Sequence, residues 1–353
     1  MGSRLPRPVA KHAGQAKRTI IPGRIEGMAE ILAVTFPFFA LVLAGYLATR
    51  WRWLPIESIA GLNTFVLYFA LPCLLYRFGS STPIAQLLDV PLFLMYLVCA
   101  LLMVGFVVMV TRNQRIGWND AAFGALVAAF PNTGFMGVPL LVALLGAASA
   151  GPAIVSIVVD LLFTSSLCIA LSRLDGADEH GAGKAARQAL KGVMINPMPW
   201  AIVFGAISSA QQVTWPAPVD KTLGLLADAA SPVALFTIGA VLARSALRAQ
   251  TSDSGTLPKT MPLRDYVPIA FIKLLLHPVL VLLVGTAAMH WGVRIDPFAL
   301  MVVTLVAALP SASNVALLSE RFGADTGRIA RIILLSTATA FLTFSGFVAV
   351  LRG

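Results

Sequence analysis

The stretch 128-AAFPNTGFMGVPLLVALLG-146 is apolar enough to lie in lipid, yet it is built to break. Between Pro131 and Leu140 it places two prolines, two glycines, an asparagine and a threonine. Proline withdraws a backbone donor and clashes with the preceding turn, and glycine loosens the chain. A span interrupted in its middle leaves peptide groups unpaired. A bilayer tolerates that only where protein or a water-filled cavity receives the freed groups.

The rest of the chain supports the membrane setting. Of 353 residues, 58% are hydrophobic and 12% charged, and the mean hydropathy is +0.84. A soluble domain is nearer to about a quarter charged. The fold class expected is therefore an all-α membrane protein. The net charge of +10 does not indicate nucleic acid, because six of the 26 basic residues fall in the first 27 positions and most others in short loops. Cys73, Cys99 and Cys168 lie in apolar runs. They offer no disulfide framework and no metal-ligand spacing, and read as small apolar packing residues. No metal and no cofactor is expected. Residues 1–27 are basic and lack an apolar core, so they read as a disordered tail and not as a secretory signal. Met28 reads as the natural start.

Ten segments are long and apolar enough to cross about 30 Å of hydrocarbon: 28–49, 58–76, 90–111, 119–146, 151–171, 196–213, 218–243, 265–290, 296–319 and 328–351. The longest connections, 172–192 and 244–264, are polar and charged. The loops after the odd-numbered spans hold 15 Lys and Arg, whereas the opposite side holds only Arg77, Lys221, Arg294 and Arg352. Basic loops stay inside. The odd loops are thus expected in the cytoplasm and both termini in the periplasm of a bacterial inner membrane.

The opening stretch has a counterpart, 307-AALPSASNVALLSERFGA-324. Both open Ala-Ala-apolar-Pro, pass through small polar residues and run to Gly-Ala. Spans two and seven also correspond: 67-LYFALPCLLY-76 and 226-LADAASPVALFTIGAVL-242 each carry one interior proline. Five spans separate the equivalent elements. Five is odd, so the second half enters the membrane from the other side, as in secondary transporters with inverted repeats. The expected organisation is two inverted five-helix repeats, 28–171 and 196–353, joined by a cytoplasmic linker, 172–195. Helices four and nine break and cross at Pro131, Gly137, Pro139 and Pro310, with further breaks at Pro72 and Pro232. Two half-helix N-termini would meet at the crossing and present unpaired N–H groups to an anion such as a carboxylate. Asn132, Thr133, Gly134, Ser311, Ser313 and Asn314 are the candidate substrate-binding residues.

At these residues the sequence resembles the auxin efflux carrier family, which includes plant auxin exporters and bacterial carriers for malonate or malate. The resemblance covers nearly the whole chain from Met28. Its most specific element is 132-NTGFMGVPL-140, supported by 62-LNTFVLYFALPCLL-75, 196-NP-197, 229-AASPVALFTIGAVL-242, 273-KLLLHP-278 and 309-LPSASN-314. It implies ten spans in two inverted repeats, crossed helices four and nine, and an elevator-like movement of a transport domain against a scaffold. Plant members have a long cytoplasmic loop between spans five and six. Here it is short, so regulation through that loop does not carry over.

Ionisable residues within spans are functional candidates. Asp160 and Asp228 could each carry a proton or cap a broken backbone. Lys273 could pair with a carboxylate, or snorkel to the surface. His277, next to Pro278, could relay a proton or pack in the bundle. Asn63 and Asn196 read as caps near span starts. The function expected is a secondary active transporter for small organic anions. Its partners are the substrate, a proton or sodium as coupling ion, the bilayer, and a second copy of the chain as a candidate homodimer. A channel or receptor is the alternative. An intramembrane enzyme would need a catalytic constellation that the sequence lacks, and no Walker loop points to ATP.

The charge asymmetry makes a testable statement. Single cysteines replacing Lys184 and Lys259, in a background without native thiols, should resist impermeant maleimide in intact cells. Ready labelling at either position would reverse the orientation.

Overall fold

A computed structural model describes residues 28–81, 89–174, 197–251 and 262–352. The expected tail 1–27, and Asn196 with most of the linker 172–195, lie outside the described residues. Among those described the fold is helical. Its elements are α1 (Met28–Arg50), α2 (Ser58–Ser81), α3 (Val90–Thr111), α4 (Trp118–Ala129), α5 (Thr133–Leu145), α6 (Ala147–Leu171), α7 (Pro197–Ala210), α8 (Ala217–Thr251), α9 (Val267–His290), α10 (Pro297–Ala307), α11 (Asn314–Arg321) and α12 (Thr326–Arg352). Seven helical segments, within α1, α2, α3, α6, α8, α9 and α12, are long and apolar enough to cross a membrane. The expected spans four and nine are each two short helices, α4 with α5 and α10 with α11; span six is the short α7.

Local chemistry explains where these helices start and bend. Asp89 caps α3, its carboxylate accepting from Leu92 N–H at 3.0 Å, with Pro91 in the first turn. Asp296 caps α10 in the same way. Proline in a first turn costs nothing, because its missing N–H would have had no helical partner. The long helices turn apolar side chains outward: Leu94, Val98, Leu102 and Met109 on α3 are all exposed. Such a face in water would be a liability, and lipid is its solvent.

Three of the expected proline breaks are absent. Helix α8 runs through Pro232 without interruption, the proline and Asp228, whose carbonyl loses its helical donor, both standing on an exposed side. The expected polar loop 244–264 begins accordingly late, since α8 continues to Thr251. Pro72 follows a π-helical turn, Val66–Ala70, within α2. The wider turn absorbs the ring that would otherwise strike the residue four before it. Pro139 sits in the first turn of regular α-helix after another π turn, Thr133–Gly137, so it starts a helix and does not break one. The chain does break at Pro131 and Pro310.

Close approach of backbones fixes the packing of the outer helices. A Cβ on Gly45 of α1 would collide with the Phe236 carbonyl of α8, and one on Gly239 of α8 with the Val42 carbonyl of α1. In the same manner a Cβ on Gly79 of α2 would lie 2.8 Å from the Ile202 carbonyl of α7, and one on Gly205 of α7 2.5 Å from that of Tyr76. Small residues let membrane helices approach until dispersion and weak polar contacts hold them. Thus α1 packs on α8 and α2 on α7, each pair through two glycines.

Gly239→Ala should therefore lower the stability of the purified protein by about 1–3 kcal/mol, the usual cost of overpacking. Gly61, whose added Cβ meets nothing within 4 Å, should tolerate alanine without loss. Equal thermal unfolding of the two variants in detergent would show that the glycine contacts do not hold the helices together.

Candidate functional site

The two breaks meet. Phe130–Asn132 and Pro310–Ala312 run antiparallel for a few residues, bridged at Pro131 and Ser311. Asn132 N–H donates to Pro310 O at 2.9 Å, and Ala312 N–H to Phe130 O at 3.0 Å. This is the minimal strand pairing, and it supplies partners that a broken helix has lost. The bridge is deeply enclosed. Every residue from Ala121 to Thr133 is buried, as is every one from Val302 to Ala312. Gly137 allows the approach, since a Cβ there would sit 2.5 Å from Leu309 Cδ1.

In an unbroken helix Ala307 O would accept from Ser311 N–H, four residues on. Here Ser311 N–H donates instead to Ser336 Oγ of α12 at 3.3 Å. Ala307 O accepts instead from Lys273 Nζ of α9 at 2.8 Å. Side chains from neighbouring helices thus receive both groups that the break sets free.

Of the candidate binding residues, Asn132, Thr133 and Ser311 are buried, while Gly134, Ser313 and Asn314 are partly so. The structure brings Asn132 and Ser311 together at the bridge, and Asn314 opens α11 just beyond it. At the crossing, three buried side-chain atoms have no hydrogen-bond partner among the described residues: Asn132 Oδ1, Ser311 Oγ and Asn314 Oδ1. Buried polar atoms are nearly always paired, so three orphans at one crossing ask for a partner the chain does not supply. Oxygen and nitrogen of an amide exchange by a flip, so each asparagine can present either a donor or an acceptor. A Cβ at Gly134 would meet nothing within 4 Å, which leaves open space beside the first turn of α5.

A second polar group lies behind the bridge. Asp160, Lys273 and His277 are each fully enclosed. Thr164 Oγ1 donates to Asp160 Oδ1 at 3.1 Å, and Tyr96 O–H reaches Oδ2 at 3.5 Å. Lys273 Nζ lies 3.0 Å from His277 Nδ1. Asp160 opens a π turn, Asp160–Thr164, and Lys273 lies in another, Ile272–Leu276. The extra residue of a π turn swings side chains that a regular helix would separate toward one face. Asp228 is not part of this group. Its side chain is 68% exposed and pairs with Arg77 of α2 at 2.6 Å. Asn63 of α2 is partly buried.

Sequence reading missed Tyr96, Thr164 and Ser336. Val90-Pro91 and Val267-Pro268 each stand five residues before an inward side chain, Tyr96 and Lys273, and that shared spacing was the available signal. It also missed Arg328, which counts as a loop charge by position. In the structure it is buried at the start of α12, donating through Nη1 to Asp120 O and through Nε to Asp265 O. It ties α12 to α4 and to the segment entering α9.

A helical chain with lipid-facing apolar helices and an enclosed polar break defines an integral membrane transport protein. The profile of the membrane transport protein family matches residues 31–348, and the chain belongs to that family, the one that contains the auxin efflux carriers. It is 28% identical over 330 residues to a Rhizobium meliloti (strain 1021) protein named "Putative malonate transporter", covering 92% of this chain and 97% of that one. It is 28% identical over 297 residues to "Uncharacterized transporter YfdV" of Escherichia coli (strain K12), covering 82% and 88%. With "Auxin efflux carrier component 7" of Arabidopsis thaliana it shares 27% identity over 154 residues, 42% of this chain and 24% of the plant protein. Family and relatives are transporters, and the enzyme alternative falls with them.

Proposed function

We propose that the chain is a secondary carrier of small mono- or dicarboxylates that binds its substrate at the helix crossing. The observation that carries this is the trio of buried, unpartnered polar atoms on Asn132, Ser311 and Asn314. They stand where α5 and α11 begin, and a helix N-terminus offers free N–H groups and partial positive charge. Thr133, Gly134 and Ser313 complete the proposed site. A relative named for malonate, a small dicarboxylate, agrees with that chemistry.

The proposed architecture is ten spans in two inverted repeats, 28–171 and 196–353. Matched spacings support it. Pro37 precedes Gly45, and Pro197 precedes Gly205, by eight residues; Pro72 precedes Gly79, and Pro232 precedes Gly239, by seven. Asp160 stands nine residues after Gly151, as Ser336 does after Gly327. The glycine-paired helices α1, α2, α7 and α8 would be the scaffold, and the crossing with its neighbours the part that moves. The chain would lie in a bacterial inner membrane with its termini outside. Asp160 is the proposed proton carrier, being enclosed beside two hydroxyls, whereas Asp228 has an exposed ion-pair partner.

Proteoliposome uptake across a panel of carboxylates including malonate, with and without internal substrate, tests the reading. Stimulation by internal substrate marks a carrier; its absence would favour a channel. Asn132→Ala or Asn314→Ala removes a hydrogen bond to a charged group, worth about 1.5–3 kcal/mol. Affinity should then fall roughly 10- to 150-fold. Asn113→Ala is the control, because that side chain closes a surface turn through Arg115 and Ile116 N–H. Folded asparagine variants that bind like the parent would reduce the breaks to packing kinks.

Asp160→Asn should abolish uptake driven by a proton gradient while leaving substrate-for-substrate exchange. Normal accumulation by this variant would remove Asp160 from the coupling step.

A further inference from the structure

The end of α10 is where a cation belongs. The last carbonyls of a helix carry partial negative charge, and in carriers with broken helices such ends help to coordinate the coupling ion. The surroundings have the right donors. The Asp160 carboxylate and Thr164 hydroxyl of α6 and the Tyr96 hydroxyl of α3 form one oxygen cluster, and the Ala307 carbonyl is the free end of α10 itself. Oxygen ligands with one formal negative charge suit a small hard cation.

That place is filled by the protein itself. Lys273 reaches in from the π turn of α9, wholly buried, and its Nζ donates to Ala307 O at 2.8 Å. Its other near partner is His277 Nδ1 at 3.0 Å. Among the described residues no carboxylate oxygen lies within 4.0 Å of it. The ammonium is therefore held by a carbonyl and an imidazole, while Asp160 supplies the opposite charge from farther off. A buried charge without compensation is costly, so each of the two makes the other tolerable.

We propose that the Lys273 ammonium is a built-in cation that occupies, at the end of Pro297–Ala307, the position an alkali ion would otherwise take, so that the carrier needs no sodium. This rests on the carrier reading and deepens it. Lys273 is a positioning residue, holding the broken end of α10 and leaving the crossing to the substrate.

Thermal unfolding of the purified full-length chain in sodium, methylammonium or choline chloride at equal ionic strength tests the proposal. The wild type should melt at the same temperature in sodium as in choline. Lys273→Ala should melt lower in choline and recover on the order of 5 °C, saturably, when sodium or methylammonium fills the vacated position. Asp160→Asn/Lys273→Met, with both charges removed, should fold and ignore all three cations. Sodium stabilisation of the wild type, a folded Lys273→Ala that responds to neither small cation, or a cation response in the double variant would each overturn the proposal. If Lys273→Ala does not fold, a folded double variant supports the charge compensation, and an unfolded one overturns it. Melting is read without transport, so failure here leaves the carrier reading standing. Failure of exchange in proteoliposomes would remove the carrier and leave the melting result intact.

Discussion

Hydrocarbon offers a peptide group nothing to bond with, and the backbone bridge between Phe130–Asn132 and Pro310–Ala312 answers that constraint. Proline makes each break permanent. Two interrupted helices placed side by side can then satisfy one another, as Asn132 with Pro310 and Ala312 with Phe130. What the bridge leaves over goes to Lys273 and Ser336. The surrounding helices must therefore bring these particular side chains to this depth. The enclosure of α4 and α10 follows from the same need, because water at their ends would compete for each bond.

Charge is distributed by the same logic. Arg77 and Asp228 pair where both remain exposed, an arrangement worth little in stability. Asp160 and Lys273 are enclosed with hydroxyl, imidazole and carbonyl partners. Arg328 is enclosed too, but it spends its donors on backbone carbonyls and so serves as a tie between segments. Two aspartates that look alike along the chain thus have different surroundings, one enclosed among hydroxyls and the other exposed beside an arginine.

The sequence carried the membrane class and both principal breaks, because hydropathy and proline act locally and show along the chain. The pairing of the breaks was legible from the likeness of 128–147 to 307–324. Prolines alone overstate interruption: Pro232 sits inside a continuous helix, and a π turn before Pro72 takes up the strain. The inward set of Thr164 and Ser336 was not legible, since a lone hydroxyl in an apolar run gives no sign of which face it occupies. Lys273 was visible as a charge within a span that could pair or snorkel, but its enclosure and its bond to Ala307 lie in the fold around one π turn. That is a detail of geometry beyond what residue order states.

The glycine contacts bear on how the protein is made. Helix α1 rests on α8, and Gly45 and Gly239 are separated by nearly the whole middle of the chain. A ribosome adding about 5–20 residues per second needs roughly 10–40 s to cover that distance. For that time α1 has left the translocon and its permanent neighbour does not yet exist. The same holds for α2 and α7 over a shorter interval. The grooves around Gly45 and Gly79 then lack the helices that fill them in the finished fold. The α1–α8 contact is thus a late event of assembly, and a nascent chain stalled before Gly239 leaves the Gly45 face of its first helix without the partner it has in the finished fold.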